Sequence, residues 1–384
     1  MDLALYHPRD GYYRRGPAAG ADGDYYTSPE AHPAFGALLA LALRRMWHLL
    51  DRPFPFYAIE AGAGRGLLAT DVTRYARALG DGFADALDYV ALDRVPPPIT
   101  PEPFQRVVAD GVPLSGIVGC ILSNELFDAF PVHRFEVREG SIKEVYVGLE
   151  GSEFVERLGE PSSPRLAHRL ESLGRDLPDG YRGEVNPGIG PWMAAAAASL
   201  ERGFVLSIDY GYEEDELYSP ARSMGTLQTY YRHTDNGSPY RRVGLQDITA
   251  HVDFSALVSH GEQAGLASLG AVTQAGFLRG LGLDRWLQRL RSEDLRQRER
   301  DANMMGMLDL VRPEGLGRFR ELVQEKGTGV ADPGLLQGDS DTSEAGDPPL
   351  PLLRPDHIPL MAGRYPQTSW ETDDLLSFSQ GWEG

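Results

Sequence analysis

A glycine-rich turn between a predicted strand and a predicted helix restricts this chain to few possible folds. The turn reads Glu60-Ala61-Gly62-Ala63-Gly64-Arg65-Gly66 and follows the apolar residues Tyr57-Ala58-Ile59. Glycines let the backbone turn tightly and approach a ligand closely at the positive end of the following helix. Because ligands of open α/β sheets bind beyond the carboxyl ends of the strands, the turn predicts a nucleotide-like site that includes Glu60, Gly62, Gly64 and Gly66.

The spacing of the glycines indicates which nucleotide this site would take. A nicotinamide-binding turn reads G-x-G-x-x-G, which would require glycine at position 67, where the chain has Leu67. S-adenosylmethionine has no pyrophosphate and carries a positive sulfonium, so an acidic residue such as Glu60 beside the turn suits it better. The spacing therefore favours S-adenosylmethionine as cofactor, with a nicotinamide-dependent oxidoreductase as an alternative.

Two acidic residues follow the next two predicted strands. Asp93 ends the second strand, where a carboxylate can accept both ribose hydroxyl protons. Asp110 ends the third strand and is predicted to receive the adenine amino group, while Gly111 leaves room for the ring. The turn and these two acids occur in the order that a nucleoside site requires.

Strands and helices alternate from Tyr57 onward, which predicts an α/β fold with a parallel, doubly wound sheet. Together with the S-adenosylmethionine turn, this predicts a Rossmann-like, class I methyltransferase sheet. The predicted strands are 57–60, 88–92, 104–109, 117–122 and 204–208. A helix is predicted after the turn, because Leu67, Leu68, Val72, Tyr75 and Leu79 share one helical face.

The rest of the chain divides by pattern into further segments. Residues 132–190 alternate apolar and polar side chains around Glu139-Gly140, which indicates an inserted β-rich lobe. The predicted divisions are an N-terminal lid 1–56, a core 57–131 and 191–224, this lobe, a mostly helical substrate lobe with closing strands 225–326, a linker 327–350 and a tail 351–384. The tail has Trp370, Phe378 and Trp382 to bury, on the body of the protein or on a partner chain.

Composition narrows the classes of ligand. The net charge is −19 and almost all cations are arginines, since Lys143 and Lys326 are the only lysines. An acidic chain with scattered cations repels phosphate backbones, so no nucleic acid partner is predicted and a basic protein or a small molecule is favoured as substrate. The single cysteine, Cys120, excludes an internal disulfide and a cysteine-based metal site. No membrane span or secretory signal is predicted, which indicates a cytoplasmic protein, or a mitochondrial matrix protein if a targeting peptide was removed.

Specific strings occur in order along residues 3–325. They are Ala4-Leu5-Tyr6-His7-Pro8, Gly11-Tyr12-Tyr13, Gly23-Asp24-Tyr25-Tyr26-Thr27-Ser28-Pro29-Glu30, the glycine turn, Ser123-Asn124-Glu125-Leu126-Phe127-Asp128-Ala129-Phe130-Pro131-Val132, Arg182-Gly183-Glu184-Val185, Ile208-Asp209-Tyr210-Gly211, Gly225-Thr226-Leu227, Asp247-Ile248-Thr249-Ala250-His251-Val252-Asp253-Phe254 and Thr273-Gln274. In these strings the chain resembles the MidA family of S-adenosylmethionine-dependent methyltransferases. The chain departs from the family in having Ala63 where proline is usual and Asp93 where glutamate is frequent, and both changes preserve the chemistry.

The resemblance implies methyl transfer to an arginine guanidinium of a protein. A carboxylate that grips a guanidinium can localise its charge and aim one nitrogen at the methyl group. This grip is assigned to Glu125 and Asp128, with Asn124 contacting the donor or the substrate and with Asp209 and Tyr210 closing the far wall. Asp128 as a helix cap and Asn124 as a turn residue are the structural alternatives.

Three further positions have two interpretations each. Ser28, in Thr27-Ser28-Pro29-Glu30, belongs either to a helix cap with proline in the first turn or, by the resemblance, to a lid over the donor. Asp253 with His251 is interpreted as a helix cap beside a hydrogen-bonded histidine in preference to a metal pair, so no metal is predicted. His133 is interpreted as a strand-end residue.

The function therefore has one leading prediction and open alternatives. The leading prediction is a protein arginine methyltransferase, with a homodimer as a possible assembly. The alternatives are a small-molecule methyltransferase of the same fold, a catalytically inactive assembly chaperone that binds S-adenosylmethionine, and the oxidoreductase named above.

Overall fold

The computed structural model describes residues 1–14, 27–95, 103–172, 177–231, 234–235, 237–330 and 349–357. The helices of these residues are α1 Asp2–Tyr6, α2 Ser28–Ala31, α3 Ala34–Leu49, α4 Leu67–Leu79, α5 Phe83–Ala86, α6 Pro164–Ser172, α7 Ile189–Ser199, α8 Glu214–Leu217, α9 Phe254–Gln263, α10 Gln274–Gly280, α11 Leu283–Leu290 and α12 Gln297–Leu310. Trp370, Phe378 and Trp382 of the predicted tail, and Gly23–Tyr26 of the family strings, lie outside the described residues.

The strands form one large sheet and three small ones. They are β1 Phe56–Ala61, β2 Leu87–Asp93, β3 Gln105–Val108, β4 Ile117–Asn124, β5 His133–Arg138, β6 Ser141–Glu150, β7 Glu153–Gly159, β8 Arg182–Val185, β9 Leu200–Asp209, β10 Gly211–Tyr212, β11 Gln228–Tyr231, β12 Thr234–Asp235, β13 Asp247–Thr249, β14 Val252–Asp253, β15 Ala267–Thr273 and β16 Arg320–Lys326. The large sheet has the order β15-β16-β9-β4-β1-β2-β3. Its members β3, β2, β1, β4 and β9 are parallel, which confirms the predicted α/β class and its five strands.

Helices cover both faces of the large sheet, which explains why its strands are apolar on both sides. Ala58 of β1 belongs to a core cluster with α3, α4 and α10–α12, whereas the next residue, Ile59, belongs to a second cluster with α7 and α9. Helix α4 has the predicted bounds, and Leu68, Val72 and Tyr75 are buried on its inner face.

A four-stranded antiparallel sheet, with the order β7-β6-β5-β8, lies within residues 132–190. Its first hairpin turns at Glu139-Gly140, where both residues have positive φ angles of 52° and 70°. Two positive φ angles match the right-handed twist of the flanking strands, as in the type I′ turn. Phe135, Val137 and Tyr181 build its small core with side chains from α6.

Two of the predicted divisions contribute elements to the large sheet and its core. Within residues 225–326, β16 pairs antiparallel with β9, and β15 pairs with β16 at the edge of the large sheet. Within residues 1–56, α3 is largely apolar and buries its side chains in the first core cluster. The division of the chain into a lid, a core and lobes stays a prediction.

Residues 349–357 return to the body of the protein, and we call them the C-terminal strap. Leu350 and Leu353 are buried, and the Tyr75 hydroxyl of α4 donates a 2.8 Å hydrogen bond to the carbonyl of Pro349. The predicted linker is described only at its two ends, and the start of the predicted tail docks on the body. No helix in the described part of the chain has the length and apolar character needed to cross a membrane.

Candidate active site

The carboxyl ends of the parallel strands bring the predicted site residues to one edge of the large sheet. Along this edge, in the order β3, β2, β1, β4 and β9, lie Asp110, Asp93, the glycine turn, Glu125 and Asp209. Residues that are up to 149 positions apart in the chain therefore become neighbours through strand order alone.

The three glycines of the turn have positive φ angles, and each serves a different purpose. A Cβ atom on Gly62 would meet the Leu126 side chain at 2.9 Å, and one on Gly66 would meet the Arg106 guanidinium at 2.2 Å. A Cβ atom on Gly64 would meet nothing within 4 Å. Gly64 thus borders the open space of the turn, where a ligand can approach the backbone closely.

Asp93 holds the turn through its carboxylate. One oxygen accepts a 2.8 Å hydrogen bond from the backbone N–H of Gly64, and the other accepts a 2.9 Å bond from Val95 N–H. Asp110 lies farther along the edge and is 84% exposed, and it pairs with Arg94 at 3.1 Å, with Gly111 beside it. The structure therefore joins Asp93 directly to the turn, whereas Asp110 is joined to Arg94.

Arg106 is a residue of the turn that sequence reasoning missed. It projects from β3, and its guanidinium donates hydrogen bonds to the carbonyls of Gly64 at 3.0 Å and Arg65 at 2.6 Å. An arginine inside the predicted strand 104–109 was the available signal.

Glu60 lies inside the sheet and not in the open space of the turn. The Tyr89 hydroxyl donates a 2.8 Å hydrogen bond to its carboxyl group. Burial raises the pKa of Glu60 to about 8, so this side chain is mostly neutral at pH 7. A direct contact between Glu60 and a donor remains a prediction.

Glu125 adopts a positive φ of 52°, which is unusual for a residue with a side chain. Its backbone N–H donates to the Ile208 carbonyl at 2.9 Å, and its carboxyl group accepts a 3.1 Å bond from the Asn124 amide. Burial, followed by the charge of Asp128, raises the pKa of Glu125 well above its ordinary value. Strained backbone of this kind is typical of functional positions.

The segment around Ser28 caps α2 and also reaches Glu125. Thr27 and Glu30 form a capping box with Pro29 in the first turn, as the cap interpretation predicts. The Ser28 hydroxyl donates to Gln274 at 3.0 Å, while its backbone N–H bonds the Glu125 carboxyl group. Ser28 thus contributes its backbone to the site, and its role in a lid over the donor stays a prediction.

Four carboxyl groups meet near Glu125, and we call Glu30, Glu125, Asp128 and Asp209 the acid cluster. Asp209 is fully buried and organises the turn after β4, because its carboxyl group accepts bonds from the N–H groups of Leu126 at 3.1 Å and Phe127 at 2.9 Å. Burial and the charges of Asp128 and Glu125 raise its pKa well above the ordinary value. Desolvated acids that repel one another favour a cationic ligand between them.

Asp128 lies under two opposing influences on its pKa. Burial raises its pKa to about 6, while a hydrogen bond from the Tyr210 hydroxyl acts in the opposite direction. Among the described residues, Asp128 Oδ1 and Asn124 Oδ1 are buried without a hydrogen-bond partner. Buried acceptors without donors are costly, so both atoms are suited to a ligand that brings N–H groups.

The side chains beyond Tyr210 are aromatic. The His251 ring lies between Tyr210 and Tyr212, with centroid distances of 5.2 and 5.3 Å.

Asp253 caps α9 by accepting from Ala256 N–H at 2.9 Å, which confirms the cap interpretation. His133 begins β5 and lies 2.6 Å from Glu144. In the described part of the chain no three potential ligands come close enough together to hold a metal ion.

This geometry fits S-adenosylmethionine. Gly64 leaves space at the turn, Asn124 Oδ1 offers a buried acceptor to an ammonium group, and the acid cluster suits a positive charge. The parallel sheet, the turn after β1 and the acidic edge define a class I methyltransferase.

Comparison with known proteins leads to the family. The profile of a family described as S-adenosyl-L-methionine-dependent methyltransferase matches residues 38–272. The chain belongs to this family, the MidA family of S-adenosylmethionine-dependent methyltransferases. This confirms S-adenosylmethionine as the cofactor of its class.

Individual relatives agree with this assignment. The chain is similar to "Protein arginine methyltransferase NDUFAF7, mitochondrial" of Rattus norvegicus, with 27% identity over 74% of this chain and 70% of the relative. It is also similar to the Drosophila melanogaster homolog, with 26% identity over 85% and 80% of the two chains. A COG1565 superfamily methyl transferase from Burkholderia thailandensis, solved with S-adenosyl-homocysteine, superposes with a TM-score of 0.76 and 27% identity, covering 89% and 90%.

Proposed function

We propose that this methyltransferase transfers methyl groups to an arginine guanidinium of a protein substrate. The acid cluster carries the proposal, because it places buried carboxyl groups beside the glycine turn, with Asp128 Oδ1 lacking a partner in the described residues. The names of the NDUFAF7 relatives, which are protein arginine methyltransferases, support it.

The donor would be held by residues on the glycine-turn side of the edge. S-adenosylmethionine, when bound, supplies a methyl group on a positively charged sulfur. Gly64 leaves the backbone of the turn accessible, while Gly62 and Gly66 let the turn pack against Leu126 and Arg106. Asp93 and Asp110 are proposed for the ribose and the adenine. Asn124 Oδ1 is proposed for the ammonium group of the donor.

Glu125 and Asp128 would grip the acceptor guanidinium. Gripping localises the positive charge on the nitrogens that face the carboxylates and leaves another nitrogen better able to attack. Methylation of a guanidinium nitrogen also releases one proton. Asp128 can take this proton, since its pKa of about 6 leaves it mostly ionised at neutral pH but basic enough to act. Tyr210, whose hydroxyl bonds Asp128, would keep that carboxylate oriented.

The remaining predictions concern partners and location. The net charge of −19 and the acid cluster favour a basic acceptor. We propose that the four-stranded sheet borders the path of this acceptor, since β5 follows directly after the Glu125–Asp128 turn. A homodimer, and a location in the cytoplasm or in the matrix after removal of a targeting peptide, stay predictions.

Glu125→Gln tests the arginine assignment. The variant should bind S-adenosylmethionine with unchanged affinity but lose at least about 100-fold in transfer, because a neutral amide cannot localise the guanidinium charge. Glu139→Gln is the matched control, since Glu139 has the same φ of 52° in an exposed hairpin turn.

The assay uses donor with a labelled methyl group and a protein lysate, with dimethylarginine identified by mass spectrometry. Label on lysine or only on small molecules would reject the arginine proposal and favour the small-molecule alternative. Donor binding without label in any acceptor would favour the inactive chaperone. Equal labelling by Glu125→Gln and wild type would reject the grip.

A further inference from the structure

The edge of the sheet continues beyond the acid cluster to residues that no proposed step uses. Strand β16 is antiparallel to β9, so its first residue, Arg320, lies opposite Asp209. Arg318 and Phe319 come just before it, on the same edge. Along this edge, Arg318 therefore comes next after the glycine turn, Glu125 and Asp209.

A row of aromatic rings connects the acid cluster to this cation. Tyr210 contacts Asp128 through its hydroxyl, and its ring lies 5.2 Å from His251, which lies 5.3 Å from Tyr212. The Tyr212 hydroxyl in turn accepts a 2.8 Å hydrogen bond from the Arg318 guanidinium. The rings form a continuous wall between the proposed acceptor position and Arg318.

Arg318 differs from its neighbouring arginines in its ion pairing. Arg222, which stacks 3.6 Å above the Tyr212 ring, pairs with Glu216, and Arg320 pairs with Glu213. Arg318 is exposed, and among the described residues no carboxylate lies within ion-pair distance of it. In a chain of net charge −19, this leaves an oriented cation open to an incoming anion.

We propose that Arg318 binds a carboxylate of the protein substrate, on an aspartate or glutamate near the methylated arginine. The site would select arginines with an acidic neighbour, because the guanidinium enters the acid cluster while the carboxylate meets Arg318. The ring centres of Tyr210 and Tyr212 are roughly 10 Å apart at most, which an extended peptide covers in about three residues, and Asp128 and Arg318 lie beyond the hydroxyl ends of these rings. This inference rests on the proposed arginine acceptor.

Short fluorescent peptides test the subsite on the full chain saturated with S-adenosyl-homocysteine. Each peptide has one arginine in a Gly-Ser background and an aspartate or an asparagine at one position, from four residues before to four after the arginine. Anisotropy should show at least one aspartate peptide binding about threefold to fivefold more tightly than its asparagine counterpart, the range of an exposed ion pair.

Variants then assign the effect to Arg318. Arg318→Gln should remove the aspartate preference. Arg318→Glu should reverse it, so that a peptide with lysine in place of the aspartate binds more tightly than the aspartate peptide. Arg291→Gln, at an exposed arginine on the surface, should keep the preference. The preference should also weaken in 1 M salt, because exposed charges are screened.

Binding and methyl transfer separate the two proposals. Aspartate-dependent binding that needs Arg318, without methylation of any peptide arginine, would keep the subsite and count against the arginine acceptor. Methylation with equal binding of aspartate and asparagine peptides would overturn the subsite and keep the acceptor. Failure of every peptide to bind would also overturn the subsite.

Discussion

Gly64 and Gly80 lie just before and just after α4, and both have positive φ angles, of 50° and 69°. A Cβ atom added to either glycine would meet nothing within 4 Å. A larger residue therefore suffers similar backbone strain at both positions, while only Gly64 borders the proposed donor. The pair allows strain and ligand exclusion to be measured separately.

Gly64→Val should abolish S-adenosylmethionine binding and leave a folded protein. Its strain costs about 1–2 kcal/mol, as for any β-branched residue with positive φ, and its side chain fills space that the donor needs. Gly80→Val carries the same strain and should bind the donor normally. Titration calorimetry checks both variants, and equal donor affinity in the two would refute the placement of the donor at Gly64.

Tyr210 controls the protonation of Asp128 through one hydrogen bond. Tyr210→Phe removes a donor that stabilises the ionised carboxylate, so the pKa of Asp128 should rise above its value of about 6. Asp128 acts as a base when it is ionised, so activity falls as pH drops through this pKa, and the acid limb of the variant should lie at higher pH. Profiles of kcat/KM against pH for the wild type, for Tyr210→Phe and for the control variant Tyr212→Phe provide the measurement.

Tyr212→Phe is the control for this change, because the Tyr212 hydroxyl bonds Arg318 and not Asp128. Its acid limb should coincide with that of the wild type. An unmoved limb in Tyr210→Phe would show that Asp128 is not the base.

At the scale of elements, Arg106 joins β3 to the glycine turn that follows β1. The turn is thus held by a strand that is separated from β1 by β2. Arg106→Gln should raise the KM for S-adenosylmethionine by about threefold to tenfold, since two hydrogen bonds from a charged group are lost. At saturating donor, kcat should stay near the wild-type value, because the acid cluster is intact. Arg77→Gln, at an exposed position of α4, is the control. A large drop in kcat with constant KM would contradict this role.

The elements that could be predicted from the sequence are those with a local cause. The five parallel strands were predicted because each is a short, mostly apolar stretch ended by polar or glycine residues, and α4 because its apolar residues repeat with the helical period. The capping of α9 by Asp253 was predictable because the capping bond spans three residues. Strand order then brought the separately predicted Glu125, Asp128 and Asp209 together.

The features that could not be predicted depend on contacts that are distant in sequence. Arg106 reaches a turn 41 residues earlier in the chain, and β16 joins the sheet beside β9 from more than 100 positions away. Helix α3 has polar side chains only in its last turns, at Arg44, Arg45 and His48, so its sequence alone does not show which side packs on the sheet. None of these pairings leaves a periodic pattern in a single sequence.

At the scale of the whole molecule, the C-terminal strap closes the fold behind the donor site. His357 is fully buried, and its Nε2 lies 3.0 Å from a carboxylate oxygen of Asp71 on α4, which also pairs with Arg354. The backbone N–H of Leu353 donates to Asn303 on α12 at 2.7 Å. The strap thus ties α4, which begins at the glycine turn, to a helix more than 200 residues later in the chain.

Stability and donor binding should be separable in this arrangement. His357→Ala removes a buried ring and a hydrogen bond to a charged group, so the free energy of unfolding should fall by about 2–3 kcal/mol in urea titrations. The affinity for S-adenosylmethionine should stay within twofold, because Leu92, Asp93 and Arg106 hold the turn independently of the strap. Asp356→Ala, at an exposed position of the strap, should change neither quantity. A loss of donor affinity in His357→Ala at constant stability would show instead that the strap acts on the turn through α4.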